Sequence, residues 1–292
     1  VGLAEPSPTT NAQYAAFLYL SKEYAEALTE VNKVLAADPN NLTMNRLKAY
    51  LSYETKDYAG AAAAMDNYMK LAPAGKLIPE DYKYKSKILI ASGQADQGIA
   101  ELQKYIQEHP AEACDLQNDL AAAYGAKKDY AGSISVLKKK LKDCNGDLAD
   151  QFRLASAFNS NKQYTQADST FNIILTAKPT YSPGYLARAR TNMSMDPEGK
   201  KGLAKPYYDK YIELSQAPDA DASKFREGLV ESYGYLGVYN FQAGNKAEAL
   251  KNFEKVLELD PGNQGAVNNI KILKAPAKTT TTKKTTTTTK KK

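Results

Sequence analysis

One histidine and two cysteines are all the imidazole and thiol that this 292-residue sequence carries, and that scarcity removes most site chemistry. His109, Cys114 and Cys144 form no His/Cys cluster at the spacing a transition metal needs, so no metal site is expected. A Ser-His-Asp site would have to recruit His109, and no Gly-x-Ser-x-Gly elbow accompanies it. There is no Gly-x4-Gly-Lys-Ser/Thr loop. No Gly-x-Gly-x-x-Gly follows a strand, because no segment reads as a convincing strand. No cofactor is expected, and the chain reads as non-enzymatic. Long apolar runs are missing too: none approaches the ~18 residues of a transmembrane segment, and no cationic-then-apolar leader is visible.

Charge of one sign is also scarce outside one place. The formal net charge is +6, and residues 275–292 hold six lysines and no acid, which leaves the remainder near neutral. A near-neutral body offers no general field for nucleic acid, so no nucleic-acid partner is expected. The Lys/Thr-rich stretch 275–292 has no large apolar residue to set against its ordering entropy and reads as a disordered tail. It is either a solubilising end or a tether to an anionic surface. Residues 1–8, with Pro6 and Pro8, read as a flexible lead-in, as a chain start after leader cleavage would.

What the sequence does contain is repetition. Pro39, Pro73 and Pro110 follow one another at steps of 34 and 37 residues, and Asn145 and Pro179 continue at 35 and 34. A period near 34 marks one supersecondary unit stacked on copies of itself. With the closing proline numbered 32, position 8 is Ala15, Ala49, Ser86, Ala121, Ala155, Ala187 and Gly237. Position 20 is Ala27, Ala61, Gly98, Ser133, Ala167, Ala204 and Ala249. All are small. Position 24 is Val31, Met65, Leu102, Leu137, Phe171, Tyr208 and Phe253, and position 28 is equally apolar, from Leu35 to Leu257. The pattern predicts helical hairpins in which small residues let helix A and helix B approach closely while larger ones fill the gaps.

These residues carry a family resemblance. Leu236-Gly237, Gly244-Asn245-Lys246, Ala249-Leu250, Phe253 and Leu257-Glu258-Leu259-Asp260-Pro261, with Tyr24, Ala27, Val31 and Ala37-Asp38-Pro39 in the first repeat, resemble the tetratricopeptide repeat family. The resemblance covers residues 9–274 and implies an all-α, right-handed superhelical solenoid of about seven hairpins. A capping helix is expected over 263–274. Three departures stand out. The third repeat has Ala95 where Tyr is usual. The fourth closes on Asn145. The sixth has a swollen turn at Met195–Gly202, followed by a helix B that tolerates Pro206 in its first turn. The seventh helix A reads as long, with Asp219, Asp221 and Ser223 as cap candidates.

Cys114 stands at the start of helix A of the fourth repeat and Cys144 at the end of its helix B. Those ends lie side by side in an antiparallel hairpin, so a disulfide is geometrically reasonable; the alternative is two separate structural thiols. A bond would place the protein in an oxidising, extracytoplasmic compartment such as a periplasm; the alternative is a cytoplasmic setting.

The resemblance implies a protein or peptide partner, bound in a groove lined by positions 2, 5, 9, 12 and 13 of helix A. These are Tyr19, Leu20, Arg46, Tyr50, Tyr53, Glu54, Lys83, Lys87 and Ile90 in the first three repeats. Asn118, Phe152, Ser156 and Asn159 follow in the middle repeats, and Tyr181 and Arg188 in the sixth. Tyr and Arg dominate binding hot spots, so Tyr19, Arg46, Tyr50, Tyr53, Lys83, Lys87, Tyr181 and Arg188 are the candidate contacts. Ala12 and Ala16 stand where the family's clamp for acidic chaperone tails needs Lys and Asn, so that activity is not implied. The expectation is a non-catalytic interaction scaffold of a bacterial envelope. The alternative is a surface-tethering or glycan-associated module that uses the basic tail.

Overall fold

The computed structural model describes residues 8–217 and 220–275. Among them are fifteen α-helices and no strand. The expected lead-in at 1–8, apart from Pro8, and the expected tail from 276 onward lie outside the described residues. The chain forms two compact units, 1–174 and 175–292.

The first unit holds α1 (Pro8–Leu20), α2 (Tyr24–Ala37), α3 (Leu42–Glu54), α4 (Tyr58–Leu71), α5 (Pro79–Ala91), α6 (Ala95–Glu108), α7 (Ala113–Ala126), α8 (Tyr130–Asp143) and α9 (Leu148–Ser160). The division falls within α10 (Tyr164–Ala177). The second unit holds α11 (Ser182–Met195), α12 (Lys205–Ser215), α13 (Ala222–Gln242), α14 (Lys246–Leu259) and α15 (Gln264–Lys274). Within each unit the helices pack as hairpins, α1 on α2, α3 on α4 and so on, and each helix B then meets the helix A that follows.

The repeat positions account for this packing. Positions 20 and 24 are buried in all seven repeats, and position 8 in all but Ala187. Position 28 is buried only at Leu175 and lies at the rim elsewhere. A Cβ placed on Gly237 would come within 2.6 Å of the Phe253 ring, so the absent side chain is what lets that hairpin close.

The turns repeat as well. Position 15, just past helix A, takes a left-handed backbone with φ of 65° at Lys22, 66° at Lys56, 79° at Gly93, 64° at Lys128, 59° at Lys162 and 80° at Gly244. That conformation ends a helix and favours glycine. Asp57 and Asp129 then cap helix B by accepting the backbone N–H of Gly60 and Gly132, each at 2.9 Å. The sixth repeat departs where the sequence predicts. The Asp196 carboxylate accepts the N–H groups of Lys201 at 2.8 Å and Gly202 at 2.9 Å, which ties the swollen turn into a closed loop. The long α13 runs 21 residues from an Asp221 cap. Among the described residues no helix is long and apolar enough to cross a membrane.

Candidate functional site

Six of the eight candidate contacts lie in the first unit, and two of them, Arg46 and Tyr50, meet at a carboxylate that the sequence did not single out. Asp81 sits at the third position of α5, where its side chain accepts the Ile78 N–H at 2.8 Å as half of a capping box. It is fully buried, at 0% exposure. Tyr50 donates its hydroxyl to Oδ1 at 2.5 Å and Tyr68 donates to Oδ2 at 2.8 Å. Arg46 approaches with Nε 3.0 Å from Oδ1 and also donates to the Tyr68 hydroxyl and the Lys76 carbonyl. Burial, then the bond to Asp81, pushes the Tyr50 phenol far above its ordinary range, so it stays a proton donor.

Tyr50, a candidate groove contact by register, lies within this packing. Its ring is only 5% exposed and stacks on Tyr84 at 3.9 Å. Arg46 is likewise occupied inside the packing. Tyr53 is half-buried, edge-on to Tyr84 at 5.8 Å. Tyr19 is half-buried too, its hydroxyl 3.3 Å from that of Tyr84. Lys87 lies over the Tyr84 ring at 5.1 Å, and Lys83 reaches Glu80 at 3.3 Å. Tyr19, Tyr50, Tyr53 and Tyr84 form one aromatic cluster in which Tyr50 is buried, while Arg46 keeps part of its side chain exposed.

An open surface in the same unit lies between α7 and α9. A cleft of about 420 Å³ is lined by Asn118, Ala122, Gly125, Phe152, Arg153 and Ser156 among others. Asn118, Phe152 and Ser156 are groove positions of the repeat pattern. Asn118 Nδ2 donates to Asp150 Oδ1 at 3.0 Å, which fixes the amide, and its buried Oδ1 accepts no hydrogen bond among the described residues. Burial alone would raise the Asp150 carboxyl. The bonds from Asn118 and Lys140, with the Asp147 backbone, hold it below its ordinary value instead.

The second unit has a larger cleft, about 660 Å³, between the 197–200 turn, α12 and α13. Met193, Val230, Val238 and the rings of Tyr208, Tyr235 and Tyr239 line it. Its charges are paired internally. Glu231 receives Arg190 at 2.6 Å and the Tyr208 hydroxyl at 2.8 Å, and Lys200 pairs with Glu198. A Cβ on Gly234 would meet nothing within 4 Å, so the helix backbone forms an open floor. Tyr181 and Arg188 belong to this unit but do not line the cleft. Arg188 lies over the Tyr207 ring at 4.4 Å and Lys178 over the Tyr181 ring at 5.4 Å.

Cys114 and Cys144 are joined by a disulfide, with Cα atoms 5.6 Å apart. His109 stacks on Tyr105 at 4.1 Å, where the ring serves packing at the end of α6. Among the described residues no group of three or more His, Cys, Asp or Glu side chains is placed to hold a metal ion. Sequence reasoning missed Asp81, Tyr84 and Asp150. The available signals were Pro79-Glu80-Asp81, an N-terminal proline with an acid at the capping-box position, and Asp147-Leu-Ala-Asp150, an Asp cap with an acid three residues on.

Comparison with known proteins agrees with this architecture. The family model for the tetratricopeptide repeat matches residues 16–76 and again 230–263. The C-terminal part of a TPR repeat-containing protein from Cytophaga hutchinsonii is 31% identical, covers 88% of this chain and 98% of its own, and superposes with a TM-score of 0.71. A tetratricopeptide repeat protein from Parabacteroides merdae, 14% identical, shares the fold with a TM-score of 0.57 over 91% of this chain and 98% of its own. The human intraflagellar transport protein 88 homolog is 24% identical over 183 residues, which is 59% of this chain and 21% of that protein's length.

Proposed function

The chain belongs to the tetratricopeptide repeat family, and from that premise we propose that it is a non-catalytic scaffold that holds a peptide segment of a protein partner in the cleft between α7 and α9. The observation that carries this reading is the lining of the cleft, where the groove positions Asn118, Phe152 and Ser156 of successive repeats come together. The Asn118 amide is held by its 3.0 Å bond to Asp150, so the polar edge of the cleft is preorganised for a peptide backbone. The small residues Ala121, Ala122, Gly125 and Ser156 leave room for that backbone to come close, and Arg153 at the rim would fix orientation.

Ala122→Trp tests the reading. Ala122 is exposed on α7, so a ring there fills the cleft without disturbing the hairpin. Peptides selected from a random displayed library on the native protein are expected to lose binding to this variant at unchanged melting temperature. Peptides that bind the variant equally well would place the partner elsewhere. The Cys114–Cys144 bond motivates the companion proposal of an oxidising, extracytoplasmic setting such as a bacterial envelope. Non-reducing peptide mapping of protein from its native compartment checks it, and two free thiols there would contradict it.

A further inference from the structure

Position 10 of helix A is buried in repeats two to six, as Leu51, Ile88, Ala123, Ala157 and Ala189. In repeats two and four, for example, the helix B before it packs across that face. In the first repeat the same position is Phe17, 61% exposed, with Tyr14 at 48% and Leu20 at 78% beside it. The three lie at i, i+3 and i+6 on one side of α1, which forms an apolar ridge with no helix before it among the described residues. Of the fifteen helices, α1 is the one with no charged residue.

We infer that this ridge docks in the α12–α13 cleft of a second copy of the chain. The cleft has the complementary character. Its walls are mostly aliphatic and aromatic, with Gln242 and Asn263 beside them, and its floor is open over Gly234. Its carboxylates Glu198 and Glu231 are already neutralised by Lys200 and Arg190. A charged helix entering it would lose hydration and gain no counter-charge, whereas an uncharged helix with apolar anchors at helical spacing suits a groove of this kind. Three side chains exposing 48%, 61% and 78% of ~200 Å² each bring roughly 400 Å² per copy. A standard interface buries about 800 Å² per partner, so the association is weak and depends on concentration. Ridge and cleft are different surfaces, so the contact is heterologous and each docked copy still offers a free ridge or a free cleft.

Sedimentation velocity over a concentration series reads this directly. The native chain is expected to rise above its monomer mass of 31.9 kDa as concentration increases. Phe17→Asp, which spoils the ridge, and Gly234→Leu, which fills the cleft, should each stay monomeric alone. An equimolar mixture of the two should associate again and stop at the dimer, because it contains one sound ridge meeting one sound cleft. A native chain that stays monomeric throughout would overturn the inference, as would a mixture that fails to associate. Gly234→Leu associating like the native chain would overturn it too, by assigning α1 to a symmetric contact with its own copy. Circular dichroism melting confirms that each variant is folded. Gly234→Leu should melt no lower than the native chain, since glycine is the poorer residue inside a helix. If either variant melts early, Leu20→Asp and Val238→Asp replace the pair with the same expected outcomes.

Discussion

Replacing Asp81 should unfold the first unit more easily than any surface change. The carboxylate is buried and accepts from Tyr50, Tyr68, Arg46 and the Ile78 N–H. Asn at this position keeps the shape, removes the charge and turns one acceptor oxygen into a donor that faces the hydroxyl or guanidinium donors. Each hydrogen bond to a charged group contributes about 1.5–3 kcal/mol. The terms are not additive, and the measured cost of breaking a buried pair is about 3–5 kcal/mol. Asp81→Asn is therefore expected to cost about 3–5 kcal/mol, and Arg46→Ala a similar amount because it leaves the buried carboxylate without a cation. Urea unfolding followed by far-ultraviolet circular dichroism reads the loss. Near-ultraviolet tyrosine signals should fall in the same transition, since Tyr50, Tyr84 and Tyr53 share the cluster. A shift within about 0.5 kcal/mol, the range of an ordinary surface substitution, would refute the argument that Asp81 organises these helices.

Other consequences are equally open to measurement. Lys56 holds φ at 66°, so Lys56→Gly should stabilise by about 0.5–1 kcal/mol through relief of the left-handed strain, and urea midpoints lower than native would contradict this. Burial, then the bond to Asp81, pushes Tyr68 up to about 12. The raised folded value means that its contribution is complete below the ordinary phenol value of about 10 and is lost as pH climbs from there to about 12. Urea midpoints should therefore fall as pH rises from about 10 to about 12 and fall less in Tyr68→Phe, and equal pH dependence in the two proteins would contradict the reading. The Cys114–Cys144 bond spans 30 residues, a closure that the chain-entropy model values at about 3.6 kcal/mol. Cys144→Ser with Cys114→Ser should melt clearly lower, and an unchanged melting temperature would show that the reduced hairpin is already held by packing.

The helical hairpins were legible because their contacts are local and periodic. Ala27, Val31 and their counterparts meet helix A of their own repeat, and a period near 34 reveals them without any long-range information. The swollen turn at 196–202 was legible from Pro197, Gly199 and Gly202, and the long α13 from its spaced apolar residues. The fates of Tyr50 and Arg46 were not. The family pattern puts both on a groove, and what draws them inward is Asp81, which lies 31 and 35 residues away in sequence. Nothing in the local pattern of α3 announces an acid at the start of α5. The left-handed position 15 was hidden for a similar reason, since four of its six occupants are lysines that take a conformation usually signalled by glycine. Asn118, Phe152 and Ser156 could be read from register alone, while the bond that holds the Asn118 amide depends on Asp150 in the next repeat.

Photocrosslinking in the native cell tests the interaction account most directly. A photoreactive residue at Ala122, in the α7–α9 cleft, is compared with one at Ser135, exposed on α8 and not among the residues lining that cleft. The account predicts that position 122 crosslinks to a defined peptide segment of a protein partner and that position 135 does not. Crosslinks to a partner from position 135 with none from position 122 would contradict it.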